Sequence, residues 1–565
     1  MPDLDLSLNE LAARNKAIWQ MDAAGLSPAQ RAMPALVHRN AYAPAADQTR
    51  VLLVGGLSGR QADVYLVLDA LRNYLAGGDG LARSVALSAV PCGNPDGRET
   101  GGVPRNSAGG NPASGYPPQD NFFFDKQNPE ARYLWRWIGF QAPDLLLEVR
   151  AGDQVAWEAT PGATSVIPNS RPMAVDDSLL AALSAGKPNG VGTVPGLRLT
   201  APRHALTAEL ARLWQSLARA SKLPLSPARR TLDTRRRRTP LEIARLLSSV
   251  YGHKLDPVTY TQGVSVSGRL RLAKLDPQDR ATVPDVVKLV EPYASGAREV
   301  FTGRVAPGSF NGLAWAQELT QATGDRRYAD MLVSAANRYQ AGASGGAPPP
   351  SDPDFRTEDM FMNGSILGRA FSITREGRYL DLLTGFLLDA PVQQPNGLFW
   401  HSRATPFYWG RGNGFAALGF AETLTHLPGN HPRRAALLAK HLKHLEALRP
   451  HQRPSGMLSQ VVDLPGSYQE LTATCMAGYA AARGMRLGWL DQSWRPWVDL
   501  AWQGVSERVD ESGGIVDACT NTGVQKSLQE YLDRAAVFGL DDRGGAMALW
   551  FATEMEQLRR GTPAG

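Results

Sequence analysis

A chain of 565 residues with 43% hydrophobic and 20% charged residues reads as globular and is too long for one core, so two to four domains are expected. Sixty basic against 54 acidic residues leave a net charge of +6, a mild excess that argues against a dedicated nucleic-acid binder. No run of about 18 apolar residues offers a membrane span, and Met1–Gln20 lacks a basic start with an apolar core, so a cytoplasmic protein without a signal peptide is expected.

In chain order, residues 1–35 read as an N-terminal helical extension. Residues 36–226 alternate short apolar runs with helical stretches, the grammar of an α/β domain with a mainly parallel sheet. Its strands are expected at Arg50–Gly56 and Leu145–Val149, its helices at Asp63–Leu75 and Pro129–Phe140, and a long surface loop at Pro172–Ala201. Residues 227–238 read as an Arg-rich linker in which Arg235–Arg238 is a solvated run without interleaved aromatics. Residues 239–565 form an all-α domain, with helices predicted at 240–252, 284–295, 310–322, 326–340, 359–375, 377–389, 411–427, 431–448, 470–487, 494–508, 526–538 and 542–559. Twelve helices paired across short turns such as Thr323-Gly-Asp325 suggest hairpins arrayed as a closed toroid or a solenoid. In a toroid the loops meet around a concave pocket at one end. Cys92, Cys475 and Cys519 stand at no metal-ligand spacing and read as reduced thiols; no cofactor is expected.

The most informative stretch is Pro406-Phe-Tyr-Trp-Gly-Arg-Gly-Asn-Gly-Phe415. It combines flat faces at Tyr408 and Trp409, a planar donor fork at Arg411, and three glycines that permit close backbone approach, a turn suited to an anionic, ring-shaped ligand. Two further loop-to-helix junctions stand out, Thr357-Glu-Asp-Met-Phe-Met-Asn-Gly364 and Tyr468-Gln-Glu-Leu-Thr-Ala-Thr474, and Leu398-Phe-Trp-His401 leads into the Arg411 turn. Taken singly, acids at such junctions serve helix dipoles and caps.

Together, and in this order, EDMFMNG, NGLFWHS, FYWGRGNGF and YQELTATCMAGYA resemble the unsaturated uronyl hydrolases of glycoside hydrolase family 105, with family 88 as cousin, over Thr239–Arg560. The resemblance implies an (α/α)6 barrel that removes a 4,5-unsaturated uronic acid from the non-reducing end of an oligosaccharide left by a polysaccharide lyase. It implies Asp359 as the catalytic carboxyl, in a DxxFM context, acting as general acid and then as base toward water. Glu358 is its rival in the same motif. To give a proton near neutral pH, Asp359 should be partly desolvated beside Met360, Phe361 and Trp409. Arg411 would face the uronate carboxylate or brace the pocket, Trp409 would stack on the sugar beside Tyr408, and His401 would donate to sugar or aspartate. Asn413 would turn the helix start or touch substrate, and Glu470 and Thr474 are substrate or capping residues. One departure is the second aspartate such families carry before a TGD turn. Here Ala306-Pro-Gly-Ser-Phe-Asn-Gly312 offers only Asn311 or Ser309.

Over Leu36–Ala220 the motifs resemble zinc carboxypeptidases of the carboxypeptidase A type, with Asn94-Pro-Asp-Gly97 intact, Gln119-Asp-Asn-Phe122 in place of NRNF, and Pro129-Glu130 present. Ser58, Gln61 and Arg150 stand where the resemblance puts the three metal ligands, and none is a good zinc donor. Leu206-Thr-Ala-Glu209 would carry the old general base. The leading expectation is thus a glycan hydrolase with an inert peptidase-like domain. The alternatives are an inactive carbohydrate-binding or regulatory protein and, less in keeping with the lost ligands, a metallopeptidase. The uronic acid, its linkage and the oligomeric state stay open.

Overall fold

The structure, a computed structural model, describes residues 4–44, 47–119, 125–186, 190–219, 223–303, 305–342 and 347–561. Asp120–Phe122 of the NRNF-like loop lie outside the described residues. One eight-stranded sheet organises the first half. Its strands are β1 (Trp19–Leu26), β2 (Ala32–His38), β3 (Thr49–Val54), β4 (Val85–Val90), β5 (Leu145–Ala151), β6 (Ala156–Ala159), β7 (Arg171–Pro172) and β8 (Gly196–Ala201), in spatial order β1-β2-β4-β3-β5-β8-β6-β7. The central strands β4, β3, β5 and β8 run parallel, whereas β1–β2, β2–β4 and β8–β6 are antiparallel, so the sheet is mixed. Every residue of β3 and β4 is buried, the pattern of strands covered on both faces.

The helices that pack on the sheet are α1 (Leu4–Arg14), α2 (Gln61–Ala76), α3 (Pro129–Gln141), α4 (Leu179–Ala185), α5 (Leu206–Arg219) and α6 (Pro227–Arg237), beside two short helices at Gly78–Ser84 and Pro95–Glu99. α1, α2 and α5 share one core with one face of the sheet, and α3, α4 and α6 share another with the opposite face. Three expectations change here. Residues 1–35 are helical only in α1; Trp19–Leu26 is a strand because its backbone pairs along the whole of β2, despite a sequence poor in β-branched residues. The segment read as a surface loop at Pro172–Ala201 contains α4 and the buried strand β8, whose signals are masked by surrounding Gly and Pro. The supposed linker is the helix α6, capped by Ser226, whose Oγ accepts the Arg229 N–H at 3.1 Å.

The second half contains α7 (Pro240–Val250), α8 (Tyr260–Leu275), α9 (Thr282–Ala294), α10 (Ala316–Thr323), α11 (Arg326–Ala336), α12 (Thr357–Thr374), α13 (Gly377–Asp389), α14 (Gly410–His426), α15 (Arg434–Leu448), α16 (Leu471–Leu487), α17 (Arg495–Glu507) and α18 (Asp542–Arg560). These lie close to the predicted set with one exchange. Residues 526–538 hold only the short helix Leu528–Leu532, followed by a strand, Ala536–Gly539, antiparallel to Ile515–Cys519. In its place α8 supplies a helix whose Val-Ser-Val-Ser text lacks a helical stripe. It is buried on most sides, and its small residues admit large neighbours, Gly268 lying against Leu549 and Trp550.

Alternate helices form an inner ring. α8, the Asn311 turn leading into α10, α12, α14, α16 and α18 follow one another around it, and α18 closes back on α8 through Trp550 Nε1, which donates to the Val264 carbonyl at 2.9 Å. α12 and α14 approach so closely that a Cβ on Gly419 would lie 2.5 Å from the Met360 carbonyl carbon. The inner helices are buried almost all round, as cores of a two-layer barrel must be. Among the described residues no helix is long and apolar enough to cross a membrane.

The two halves share one core. Tyr133, Trp135 and Trp137 of α3 pack in the same cluster as Trp409, Val461, Tyr468, Val516 and Tyr531 of the helical half. Buried ion pairs cross the contact: Arg453–Asp22 at 2.6 Å, Arg136–Asp517 at 2.6 Å and Arg236–Glu507 at 2.6 Å. Arg235, read as solvated, is 1% exposed and pairs with Glu511. The arginine run of α6 is therefore an interdomain clamp. Residues 239–565 produced alone are expected to aggregate or bind a hydrophobic dye strongly, a result to be compared with the full chain by light scattering; a soluble, dye-negative fragment would show that the barrel stands without the sheet domain.

Candidate active site

Helical arithmetic selects the groups that look down the barrel. Tyr260 and Arg271, Glu358 and Arg369, Arg411 and Glu422, Thr472 and Arg483, and Arg543 and Glu554 each stand eleven positions apart on one inner helix, about three turns, so each pair shares a face. The second members meet in a buried floor, where Glu422 accepts from Arg369 at 2.9 Å and from Tyr479 at 2.5 Å, and Glu554 from Arg483 at 2.7 Å. The first members therefore ring the opposite end, where the N-termini of the inner helices gather.

Glu358 is on this axial stripe and Asp359 is one residue round from it. His401 Nε2 lies 3.1 Å from both Glu358 oxygens, and its Nδ1 lies 2.5 Å from the Tyr531 hydroxyl, which also accepts the Gln525 N–H at 3.2 Å. Nε2 is thus placed to donate to Glu358, while Nδ1 shares a hydrogen bond with the Tyr531 hydroxyl. Burial works to raise the Glu358 pKa, yet His401, by charge and hydrogen bond, holds it below the usual range. Asp359 turns toward the preceding connection, where its Oδ2 accepts the Asp352 N–H at 2.7 Å. Burial pushes its pKa up to about 7, opposed by that N–H and reinforced by the charges of Glu358 and Asp352. Counted back from Phe361-Met362, the acid of a DxxFM pattern falls on Glu358; the spacing places Asp359 one position later. Both carboxyls sit in the first turn of α12, where the helix dipole favours the ionised form.

The Arg411 turn is built into the protein more deeply than its text suggests. Arg411 Nε donates to Thr472 at 2.7 Å, Nη1 to the Asn521 carbonyl at 2.8 Å and Nη2 to the Cys519 carbonyl, with Glu470 3.5 Å away. Trp409 is fully buried, with its ring 4.4 Å from His401 and the guanidinium of Arg534 5.0 Å from its centroid. Gly410 is demanded by protein, not ligand, since a Cβ there would lie 2.3 Å from the Ser459 carbonyl oxygen. Asn413 pins the preceding loop, accepting from Phe399 N at 2.9 Å and donating to the Phe399 and Trp409 carbonyls. Glu470 caps α16 through the Ala473 N–H at 2.6 Å, and Thr474 donates to the Glu470 carbonyl at 2.8 Å. Tyr408 is half-buried, its hydroxyl accepting from Asn396 at 3.1 Å. Of the sequence-selected set, the structure brings His401, Trp409 and Arg411 together, with Glu358 and not the expected Asp359 against His401, because the Asp359 carboxyl is taken by the Asp352 N–H; it seals Trp409, Arg411, Asn413, Glu470 and Thr474 within protein contacts.

Asn311, at the place of the missing aspartate, donates to the Met362 carbonyl at 3.3 Å, while its Oδ1 is buried without a hydrogen-bond partner among the described residues. Sequence reasoning missed Tyr260, Tyr531 and Arg534. Tyr260 could have been found by its eleven-residue spacing to Arg271; the other two lie in a connection read as a helix. The segment Thr520–Lys526 lies over the mouth and separates two openings. One, of about 340 Å³, is lined by Tyr260, Asn521, Asp541 and Arg543; the other, of about 780 Å³, by Lys126, Asn521, Gln525 and Arg534.

The helical half is thus a twelve-helix double-layered barrel, with the carboxyls of Glu358 and Asp359 in the first turn of an inner helix and His401 in the loop before the next one. The profile of Glycosyl Hydrolase Family 88 matches residues 251–559, and the chain belongs to that family. It is 31% identical over 213 residues to the unsaturated rhamnogalacturonyl hydrolase YesR of Bacillus subtilis (strain 168), covering 36% of this chain and 60% of that protein. It is 26% identical over 113 residues to the unsaturated 3S-rhamnoglycuronyl hydrolase of Alteromonas sp. (strain LOR), covering 20% of this chain and 27% of that one. The chain thus matches less than two thirds of the length of either curated relative. In fold, a glycoside hydrolase from family 105 of C. acetobutylicum ATCC 824 superposes with a TM-score of 0.51 at 17% identity, over 56% of this chain and 99% of that one. A possible family 105 member from Klebsiella pneumoniae does so with a TM-score of 0.51 at 18% identity, over 57% and 93%.

Proposed function

We propose that the protein removes a 4,5-unsaturated uronic acid from the non-reducing end of lyase-generated oligosaccharides. The observation that carries this reading is the pair of adjacent carboxyls in the first turn of α12, Glu358 held by His401 and Asp359 by the Asp352 N–H, whose surroundings drive their acidities apart. Asp359 keeps its proton up to pH about 7, whereas Glu358, bound to His401, is ionised. Two carboxyls so divided have the properties of an acid and a base. In this mechanism Asp359 gives its proton to C4 of the enol ether, and water attacks the electron-poor C5 while Glu358 takes the water's proton. The resulting hemiketal opens and the aglycone leaves, so the net change is addition of one water. Glu358 thus takes the base role that one carboxyl would otherwise serve alone. His401 and Tyr531 orient it, and Trp409, Arg411, Asn413, Glu470 and Thr474 hold the turn that carries His401's neighbours. Family membership and the activities named for the Bacillus and Alteromonas relatives support the substrate class.

The test is incubation with oligosaccharides released by lyases from pectin, ulvan, heparin-like and gellan-like polymers, following loss of the ultraviolet absorbance of the conjugated enol ether. Loss on at least one is expected. Binding without loss on all would favour the second reading, a carbohydrate-binding protein that has given up catalysis, for which the uncharged Asn311 speaks. Tyr531→Phe removes the hydroxyl that faces His401 Nδ1 and is expected to lower kcat roughly tenfold, the worth of one hydrogen bond, with an unchanged melting temperature.

The sheet domain we read as a carboxypeptidase-like fold without peptidase chemistry. Ser58 Oγ donates to Asp63, Gln61 Oε1 accepts from Arg98 at 2.6 Å, and Arg150 Nε donates to Glu148 at 2.5 Å. Glu209, the candidate base, accepts from Trp157 at 2.7 Å. These contacts support a structural use of each position, and the shared core supports a role in holding the barrel's mouth.

A further inference from the structure

Arg411 spends each of its three nitrogens on protein oxygens, which leaves the acidic group of an incoming sugar without the cation the sequence suggested. A different arginine is prepared for it. Arg534 is 7% exposed, and its guanidinium lies 5.0 Å from the Trp409 ring and 5.6 Å from the Tyr531 ring. Nη2 donates to the Gly523 carbonyl, whereas Nη1 is buried with no hydrogen-bond partner among the described residues. A buried guanidinium nitrogen without an acceptor costs free energy that an entering anion would return. The same side chain lines the opening of about 780 Å³ together with Asn521, Gln525, Lys126 and the acids Glu530 and Asp533, and Tyr531 links it to His401 and, through His401, to Glu358. Its fork is planar and permanently charged, the donor geometry that a carboxylate accepts in two parallel bonds.

We propose that Arg534 is the specificity-determining cation of the site and receives the carboxylate of an acidic sugar in the opening beside Trp409 and Tyr531. The proposal rests on the uronide reading for the identity of the anion, and the strap residue Gly523, which now occupies Nη2, is the contact an incoming carboxylate would share or displace. Arg411, by contrast, is a bracing residue.

The experiment uses the full chain and its Arg534→Gln and Arg534→Lys variants, with calorimetric titration of glucuronate and galacturonate against the matching neutral hexoses, beside kcat and KM on an unsaturated uronyl disaccharide. The wild type is expected to bind at least one uronate in preference to its hexose. Arg534→Gln should lose that preference by tenfold or more and raise KM far more than it lowers kcat, while Arg534→Lys recovers part of the binding. Unchanged melting curves would show that both variants fold; if Arg534→Gln does not, the lysine variant carries the test, with weakened uronate binding and an unaltered hexose response expected. No preference for uronate in the wild type, or a preference retained in a folded Arg534→Gln protein, overturns the proposal. Uronate binding that depends on Arg534 in a protein that consumes no unsaturated substrate would sink the hydrolase reading and leave this one standing, whereas turnover indifferent to Arg534 would do the reverse.

Discussion

Asp359→Asn is expected to lower kcat by roughly 100- to 10,000-fold, the range spanned by loss of a general acid, in a protein that melts no lower than the wild type. The two readouts together separate a catalytic carboxyl from a structural one. An asparagine can still offer an oxygen to the Asp352 N–H, so the connection before α12 keeps its contact. The folded-state pKa of about 7 lies above the ordinary value of 3.8, so the folded protein holds a proton that the unfolded chain releases, and stability falls as pH rises through that window. At pH 8 the wild type bears an ionised buried carboxylate and the variant does not, so the variant should melt higher there and equal at pH 4. Activity should follow the same group, declining as pH rises through about 7. Glu358→Gln should also cost most of the turnover, through loss of the base. An Asp359→Asn enzyme with near wild-type rates would reassign Asp359 to bracing its loop and leave Glu358 as the single working carboxyl, in keeping with its place on the axial stripe.

Much of the helical half was legible because its signals are local. Periodicity and Gly or Pro punctuation mark eleven of the twelve barrel helices, and the family resemblance covers the region that the profile matches. The helix that escaped, Tyr260–Leu275, has no apolar stripe because it faces protein on most sides, and the text cannot distinguish that from alternation in a strand. The site was half legible. The junction motifs led to Glu358, Asp359 and His401, yet residue type alone could not say that Arg411 and Glu470 serve backbone carbonyls and a helix cap, since the same donors and acceptors suit a ligand. What decides is which partners lie in reach, and Cys519, Asn521 and Tyr531 come from a connection more than a hundred residues on. The place of Glu358 on the axial stripe was available from the sequence, in its eleven-residue spacing to Arg369. Burial of the α6 arginines could not be read without Glu507 and Glu511 opposite them.

Glu422→Gln is expected to destabilise the barrel by about 3–5 kcal/mol, the cost of breaking a buried charge cluster by removing one partner, and to lower the melting temperature by roughly 5–10 °C. Glu422 is fully buried at the floor of the inner ring. Its oxygens accept from Arg369 at 2.9 Å, Tyr479 at 2.5 Å and Arg483 at 3.2 Å, with Arg271 3.7 Å away and lying over Trp550. Burial works to raise its pKa, yet Arg369, Arg271 and Arg483 hold it far below the carboxylate range. A neutral amide leaves Arg369 and Arg483 facing one another with one fewer counter-charge and turns an acceptor into a donor aimed at guanidinium groups. Because the folded pKa is depressed, this stabilisation is fully present above the unfolded carboxylate range and is lost only as pH falls well below it. The gap in melting temperature between wild type and Glu422→Gln should therefore stay constant from pH 8 to pH 5 and narrow only in stronger acid, the opposite of the Asp359 pattern. A Glu422→Gln protein that melts with the wild type would mean that Glu318, 3.2 Å from Arg271 and 3.3 Å from Arg369, and Glu554 alone neutralise the floor. A gap that closes between pH 8 and pH 6 would mean that Glu422 is not ionised there at all.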